Sequence, residues 1–196
     1  MTDPLFDADD EASTPLTPQE RDDLIPTYIT RRSELNAAEQ LGIDDADAWA
    51  FSRKRDVLSE DFLRALHRRM FSGVWKWAGE FRTTERNIGV EPWKIAVDLR
   101  QFLDDVRYWI KHDTYPPDEI AVRLHHRLVF IHPFPNGNGR STRMAADLLA
   151  VSLGRERFSW GSGNLIAAAE LRKQYIAALK TADGNDIVPL LEFARS

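Results

Sequence analysis

Residues 120–143 read IAVRLHHRLVFIHPFPNGNGRSTR. Ile120, Leu124, Leu128 and Ile131 recur at helical spacing, so they share one face of a helix that Asp118 opens. That helix must end near His132, because the residue before a proline is pushed out of the α region. Pro133, Pro135, Gly137 and Gly139 then make a tight loop in which backbone can approach a ligand closely. A second helix begins near Gly139 or Arg140, carries Met144, Leu148 and Val151 on its apolar face and closes at Gly154. The first N–H groups of such a helix have no carbonyl partner within it, and here they open into the loop, which is the geometry of an anion site.

The arginines sharpen this reading. Arg140 and Arg143 lie three apart and project from one face of the first turn. Cations at a helix N-terminus oppose the macrodipole by about 0.3–1 kcal/mol each, so two of them make poor sense for stability. They make good sense around a polyanion, because the guanidinium fork suits bidentate phosphate binding. His132 stands at the loop entrance as the side chain able to take a proton near neutral pH. A glycine turn, a histidine before proline or a pair of solvated arginines would each be weak alone. Together within twelve residues they predict a site for a di- or triphosphate.

Outward from this junction almost everything reads as helix. Ser33 is expected to cap a helix that Gly42 stops, with Asp44 or Asp45 capping the next and Trp49 on its apolar side. Ser59 precedes Phe62, Leu63, Leu66 and Met70, a stripe ending at Gly73. Pro92 suits a first helical position ahead of Ile95, Leu99, Phe102, Leu103, Val106 and Ile110. Leu165, Ala168, Leu171, Tyr175 and Leu179 mark a further helix, and a short one follows Asp186. Residues 81–90, FRTTERNIGV, break the pattern and predict a small β-hairpin. The expected fold is all-α, a helical bundle with one hairpin, and the six tryptophans are expected to fill its core.

Composition bounds the function. The chain has 196 residues, 43% hydrophobic and 29% charged, the balance of a globular domain. It contains no cysteine, which excludes disulfides and thiolate metal sites and fits a reducing, cytoplasmic setting. Apolar stretches are too short for a membrane span. The start, MTDPLFDADDEA, lacks the basic and apolar regions of a signal peptide, and residues 1–20 read as a mobile acidic tail. Net charge is −5, against direct nucleic-acid binding.

The stretch His132 to Arg143 closely resembles the signature of the Fic family, which reads His, Pro, Phe, any residue, Asp or Glu, Gly, Asn, Gly, Arg, two variable residues, Arg. Eight of its nine specified positions match. Trp77-Ala78-Gly79-Glu80-Phe81-Arg82, followed by the expected hairpin, looks like the family's target-binding flap, so that Arg82, Thr83 and Thr84 become candidate target contacts. The resemblance covers residues 59–196 as a core domain, preceded by a helical segment at 21–58. The whole chain looks similar to the subgroup named mobile mystery protein B, usually encoded beside a small helix-turn-helix protein.

The resemblance implies a protein adenylyltransferase that moves AMP from ATP to a Ser, Thr or Tyr hydroxyl of a target protein. It makes His132 the general base. Asn138, with the backbone at Gly137 and Gly139, would hold the α-phosphate, Arg140 the departing pyrophosphate and Arg143 the γ-phosphate. Phe134 would anchor the loop. Asn136 departs from the pattern, because the family's acid there ligates Mg²⁺, and an uncharged amide oxygen should hold that ion more weakly. The stretch Thr30-Arg31-Arg32-Ser33-Glu34-Leu35-Asn36 resembles the family's inhibitory helix, with Leu35 where Gly is expected, and would let Glu34 pair with Arg143. Glu34 equally suits the first turn of a helix.

Other classes compete with this reading. Asn136 leaves open transfer of another phosphoryl group, or a regulator that binds nucleotide without catalysis. A metal hydrolase built on His125, His126 and His132 is disfavoured, because adjacent helical histidines diverge and the neighbouring arginines repel a cation.

Overall fold

The computed structural model describes residues 16–164 and 167–196. Among the described residues eight α-helices run in the order α1 (Pro18–Asp22), α2 (Arg32–Phe51), α3 (Glu60–Phe71), α4 (Ile95–Lys111), α5 (Pro117–Ile131), α6 (Asn138–Ser152), α7 (Ala168–Asp183) and α8 (Val188–Arg195). A 3₁₀ turn at Pro92–Lys94 leads into α4. The all-α expectation holds. The first residues of the expected acidic tail, 1–15, and Leu165 of the expected α7 stripe lie outside the described residues.

The helices α5 and α6 pack against each other across the loop that joins them, and α4, α3 and α8 close around the pair. Leu99, Leu124, Leu128, Ile131 and Leu190 are almost wholly withdrawn from solvent. Each such side chain contributes on the order of 1.5–3 kcal/mol to this core. Trp75 and Trp77 are buried and stack on one another, whereas Trp93 is 69% exposed, so tryptophan is not uniformly core here.

Two boundaries differ from the sequence reading. The expected break at Gly42 does not occur, and α2 runs unbroken for 20 residues. Gly42 serves close helix packing instead: a Cβ there would lie 2.2 Å from the Met70 carbonyl oxygen of α3. Asp44 and Asp45 are consequently mid-helix rather than caps. Asp44 accepts from Gln40 one turn earlier, and Asp45 pairs with Arg69 of α3. Ser33 lies inside the first turn, with Arg31 at the N-cap.

The hairpin is also absent. No strand ladder forms at 81–90, and an isolated bridge joins Leu24 to Trp75 instead. A single guanidinium holds the segment in place of cross-strand bonds. Arg82 is 2% exposed and donates from Nε to the His132 carbonyl at 2.6 Å, from Nη1 to the Thr84 carbonyl at 2.9 Å and from Nη2 to the Val90 carbonyl. The Arg82 N–H binds the Pro133 carbonyl and the Val90 N–H the Ile131 carbonyl, so both ends of the loop are tied to the chain around His132.

The end of the expected tail is ordered against this loop. Thr17 and Glu20 form a capping box on α1. The Glu20 carboxylate also takes the Thr84 hydroxyl and pairs with Arg86, whose side chain is only 4% exposed. Trp77 Nε1 donates to the Glu20 carbonyl.

Candidate active site

His132 ends α5 in the left-handed region, with φ 53° and ψ 60°. The following proline excludes α backbone at this residue, and a β-carbon makes the αL alternative a strained one. Such strain is held in place by its surroundings: the carbonyl of His132 receives Arg82 Nε, and its N–H reaches the Leu128 carbonyl at 3.0 Å. The ring is almost buried. Its Nδ1 lies 3.4 Å from the Val129 carbonyl, which can only accept, so the proton sits on Nδ1 and the lone pair on Nε2. Burial, with smaller contributions from the Arg82 and Arg86 charges, pushes the imidazole down to about 4. It is therefore neutral and able to accept a proton throughout the physiological range.

Gly89 brings the flap loop onto this residue. With φ +101° it adopts backbone that side chains avoid, and a Cβ there would lie 2.7 Å from His132 Cβ. The N–H groups from Thr83 to Gly89 make no backbone hydrogen bonds among the described residues, so this stretch keeps an unpaired edge beside the histidine. Thr83 is exposed and Thr84 partly covered by Glu20. Arg82 was expected to touch a target. The carbonyls it binds make it the anchor of the loop instead.

The phosphate loop closes on itself. Asn138 Oδ1 accepts the Phe134 N–H at 3.0 Å and its Nδ2 donates to the Phe134 carbonyl at 2.8 Å. The Asn138 side chain is thus a staple across the turn, 2% exposed, with both of its polar atoms engaged by Phe134. Gly137 caps α6 with φ +76°. Packing requires its hydrogen, since a Cβ would meet the Phe71 ring at 2.6 Å. At Gly139 packing requires nothing: the nearest atom to a Cβ would be the Tyr175 hydroxyl at 3.8 Å. A methyl group would fit at this glycine, next to the unpartnered first turn of α6.

The two arginines differ. Arg140 Nη1 lies 2.7 Å from Glu39 Oε2, and its guanidinium rests over the Phe71 ring. Glu39 is 5% exposed and also accepts Trp75 Nε1 at 2.7 Å. Arg143 stands over the Tyr175 ring and forms no salt bridge among the described residues. Glu34 does not reach it. That carboxylate accepts the Thr30 and Arg31 N–H groups and the Thr30 hydroxyl, bonds that hold it below the usual carboxylate range, and it is a first-turn helix residue. Glu39 lies one helical turn further on and gave no motif signal.

The Asn136 amide oxygen accepts the Gly137 N–H. Among the described residues no group of three or more His, Asp or Glu could hold an ion. A single neutral oxygen already engaged by backbone does not fit a magnesium site, which ordinarily takes one or two carboxylates besides the phosphates. The histidines of the hydrolase alternative separate as well: His125 Nε2 meets the Tyr175 hydroxyl and His126 Nε2 meets Asp183, both at 2.9 Å.

The matching family model is that of the Fic/DOC family, over residues 57–150. Residues 57–150 thus match a Fic/DOC domain. It is 29% identical over 167 residues to the protein adenylyltransferase fic-1 of Caenorhabditis elegans, a match spanning 79% of this chain and 31% of that protein. It is 30% identical over 162 residues to the protein adenylyltransferase Fic of Drosophila grimshawi, spanning 79% and 32%. The chain thus spans about a third of the length of these curated relatives. Among solved structures, residues 134–508 of C. elegans Fic-1 superpose with a TM-score of 0.67 at 27% identity, covering 90% of this chain and 52% of that one. The BepC protein of Bartonella tribocorum, solved with AMPPNP, superposes with a TM-score of 0.68 at 18% identity over 91% and 97%. The Fic fold thus covers most of the helical bundle, including elements outside the matched 57–150 segment.

Proposed function

We propose that this Fic domain transfers AMP from ATP to a Ser, Thr or Tyr hydroxyl of another protein. The observation that carries the reading is the pairing of a neutral, buried His132 with an open helix N-terminus at Gly139 on the same loop. The target hydroxyl oxygen attacks the α-phosphorus and gives its proton to His132 Nε2. The new O–P bond carries AMP, the bond to the β-phosphate oxygen breaks, and pyrophosphate leaves. The N–H groups at the start of α6 hold the α-phosphate, where charge develops. Arg143 holds the γ-phosphate, and Arg140 takes the pyrophosphate after exchanging Glu39 for it. The flap edge from Thr83 to Gly89 receives the target backbone as an added strand, delivering the hydroxyl to His132.

Relatives named protein adenylyltransferase and a neighbour solved with AMPPNP support the nucleotide and the reaction. The lack of cysteine suits a reducing compartment such as the cytoplasm, and the mobile mystery protein B resemblance suggests a helix-turn-helix protein encoded alongside. Magnesium, when bound, would supply charge neutralisation on the phosphates, and residues 132–143 offer no carboxylate to hold it.

A second reading concerns restraint. Glu39, not Glu34, is the acid that occupies a signature arginine, so Glu39 is the residue that holds the resting site closed. The test is incubation of the protein and of Glu39→Gln with ATP labelled on the α-phosphate, and separately on the γ-phosphate, in cell lysate. Protein bands labelled from the α position alone support AMP transfer. Label from the γ position means phosphate transfer, and nucleotide binding without label means a regulator.

A further inference from the structure

His67 lies on α3, outside the signature, and is 0% exposed. Its two ring nitrogens have opposite tasks. Nδ1 receives the Gly79 N–H at 2.9 Å, and Nε2 lies 2.9 Å from the Asn136 carbonyl oxygen. A backbone N–H can only donate and a carbonyl can only accept, so Nδ1 must be bare and Nε2 must carry the proton. Burial pushes this imidazole down to about 3, which keeps it in that neutral tautomer. The ring is clamped as well as bonded, stacking on Phe134 with centroids 3.8 Å apart at 19° and tilting against Phe71 at 4.7 Å.

The bond to Asn136 matters because of which peptide it holds. The Asn136 carbonyl and the Gly137 N–H belong to one planar unit, and in a trans peptide they point in opposite directions. No peptide in the described chain is cis. Fixing the carbonyl against His67 therefore aims the Gly137 N–H away from α3, out toward the loop. Gly137 itself, with φ +76°, adopts backbone open to glycine, and among the described residues the one local bond on that plane is the Gly137 N–H to the Asn136 side-chain oxygen, so the His67 bond is what fixes the plane from outside the loop. At the other ring nitrogen, Gly79 stands two residues before the flap loop begins at Phe81. One imidazole thus ties the base of the flap to the phosphate loop.

We propose that His67 is a positioning residue that locks the Asn136–Gly137 peptide plane so that the Gly137 N–H faces the nucleotide phosphates. The proposal rests on the reading of the loop as a phosphate site. On nucleotide binding that N–H exchanges the Asn136 side-chain oxygen for a phosphate oxygen, a charge-assisted bond.

Two substitutions separate the ring's tasks. His67→Gln places an amide N–H near the Nε2 position and keeps a donor for the Asn136 carbonyl. His67→Asn places an amide oxygen near the Nδ1 position and keeps an acceptor for Gly79, but loses Asn136. Both cost packing. The experiment compares ATP dissociation constants of the full chain, with melting temperatures and amide hydrogen exchange of residues 136–138 measured alongside. His67→Asn should bind ATP about 10-fold more weakly than His67→Gln, the equivalent of one charge-assisted hydrogen bond. It should also exchange faster at 136–138, even where the two variants melt alike. Equal ATP affinity and equal exchange in both variants would overturn the proposal. A parent protein that binds no ATP, while exchange still separates Asn from Gln, would keep His67 as a lock on the peptide and remove the nucleotide from it.

Discussion

Glu39 Oε2 lies 2.7 Å from Arg140 Nη1, joining α2 to the first turn of α6 across 101 residues of chain. The other carboxylate oxygen is held by Trp75 Nε1. A phosphate that binds Arg140 must compete with this buried carboxylate for the same donors. Glu39→Gln keeps the acceptor for Trp75 and removes the charge. We expect transfer to rise several-fold and the Michaelis constant for ATP to fall, in steady-state assays with labelled ATP. Unchanged kinetics with a lowered melting temperature would make the pair purely a stabilising one.

Glu34→Gly should behave differently. Its carboxylate caps exposed N–H groups at Thr30 and Arg31 and is remote in bonding from the signature arginines. Removing it costs a first-turn contact and adds a helical glycine, a loss of about 1 kcal/mol. Transfer should stay near the parent rate while the melting temperature falls by a few degrees. A large gain in rate would mean that α2 exchanges Glu34 and Glu39 at the site.

The contrast between these two acids marks the reach of the sequence. The helix–loop–helix around His132 was legible because its signals are local: a proline that ends α5, glycines in the loop, arginines on the next turn. Glu39 was not, because its partner is on another helix and nothing in its own neighbourhood differs from a solvated helical acid. Gly42 misled for a related reason. A glycine inside a helical pattern reads as a stop, and the Met70 carbonyl that requires it is visible only after α2 and α3 meet. The flap was located but not its construction, since β-branched residues and turn signals say nothing of a guanidinium collecting carbonyls. Glu20 was assigned to a mobile tail because prolines and acids dominate there, while Arg86, which it neutralises, lies 66 residues away.

Acid should destabilise the fold before it silences the base. His67, His125 and His132 are all buried, and burial pushes each below the ordinary imidazole range, to about 3 for His67 and about 4 for His132. In the unfolded chain each takes a proton near its ordinary 6.5, so below that pH the unfolded state binds more protons and stability falls. Asp147 has the opposite sign, because burial raises it to about 6 and the folded state gains its proton first. Three groups outweigh one. At pH 5.5 His67 and His132 each cost about 1.4 kcal/mol, His125 adds a cost of the same sign, and Asp147 returns roughly 1. The melting temperature should drop on the order of 5–10 °C between pH 7.5 and 5.5. A flat or rising profile would contradict the buried neutral imidazoles.

Asn136→Asp restores a charged oxygen in the loop. Magnesium should then strengthen ATP binding more in the variant than in the parent, because a carboxylate is the ligand this hard cation prefers. The check is ATP affinity measured across a magnesium titration. Superimposable curves would mean that position 136 stays turned toward the Gly137 N–H when nucleotide is bound.

Gly139→Ala sets stability against function. The residue has ordinary helical backbone, and a methyl group would touch nothing nearer than the Tyr175 hydroxyl at 3.8 Å. Glycine inside a helix costs about 0.5–1 kcal/mol relative to alanine, chiefly through the freedom of the unfolded chain. On packing alone the substitution should stabilise the protein and raise its melting temperature by roughly 1–4 °C. The space that methyl group enters is the one assigned to a phosphate. A protein that is more stable and yet binds ATP at least about 10-fold more weakly, a difference of 1.4 kcal/mol, would show that Gly139 is there for the ligand rather than the fold. His132→Ala provides the counterpart, since loss of the base should abolish transfer while leaving ATP affinity nearly intact. If Gly139→Ala instead binds ATP as tightly as the parent, the phosphates lie elsewhere on the loop, and the assignment of the α6 N-terminus to them falls.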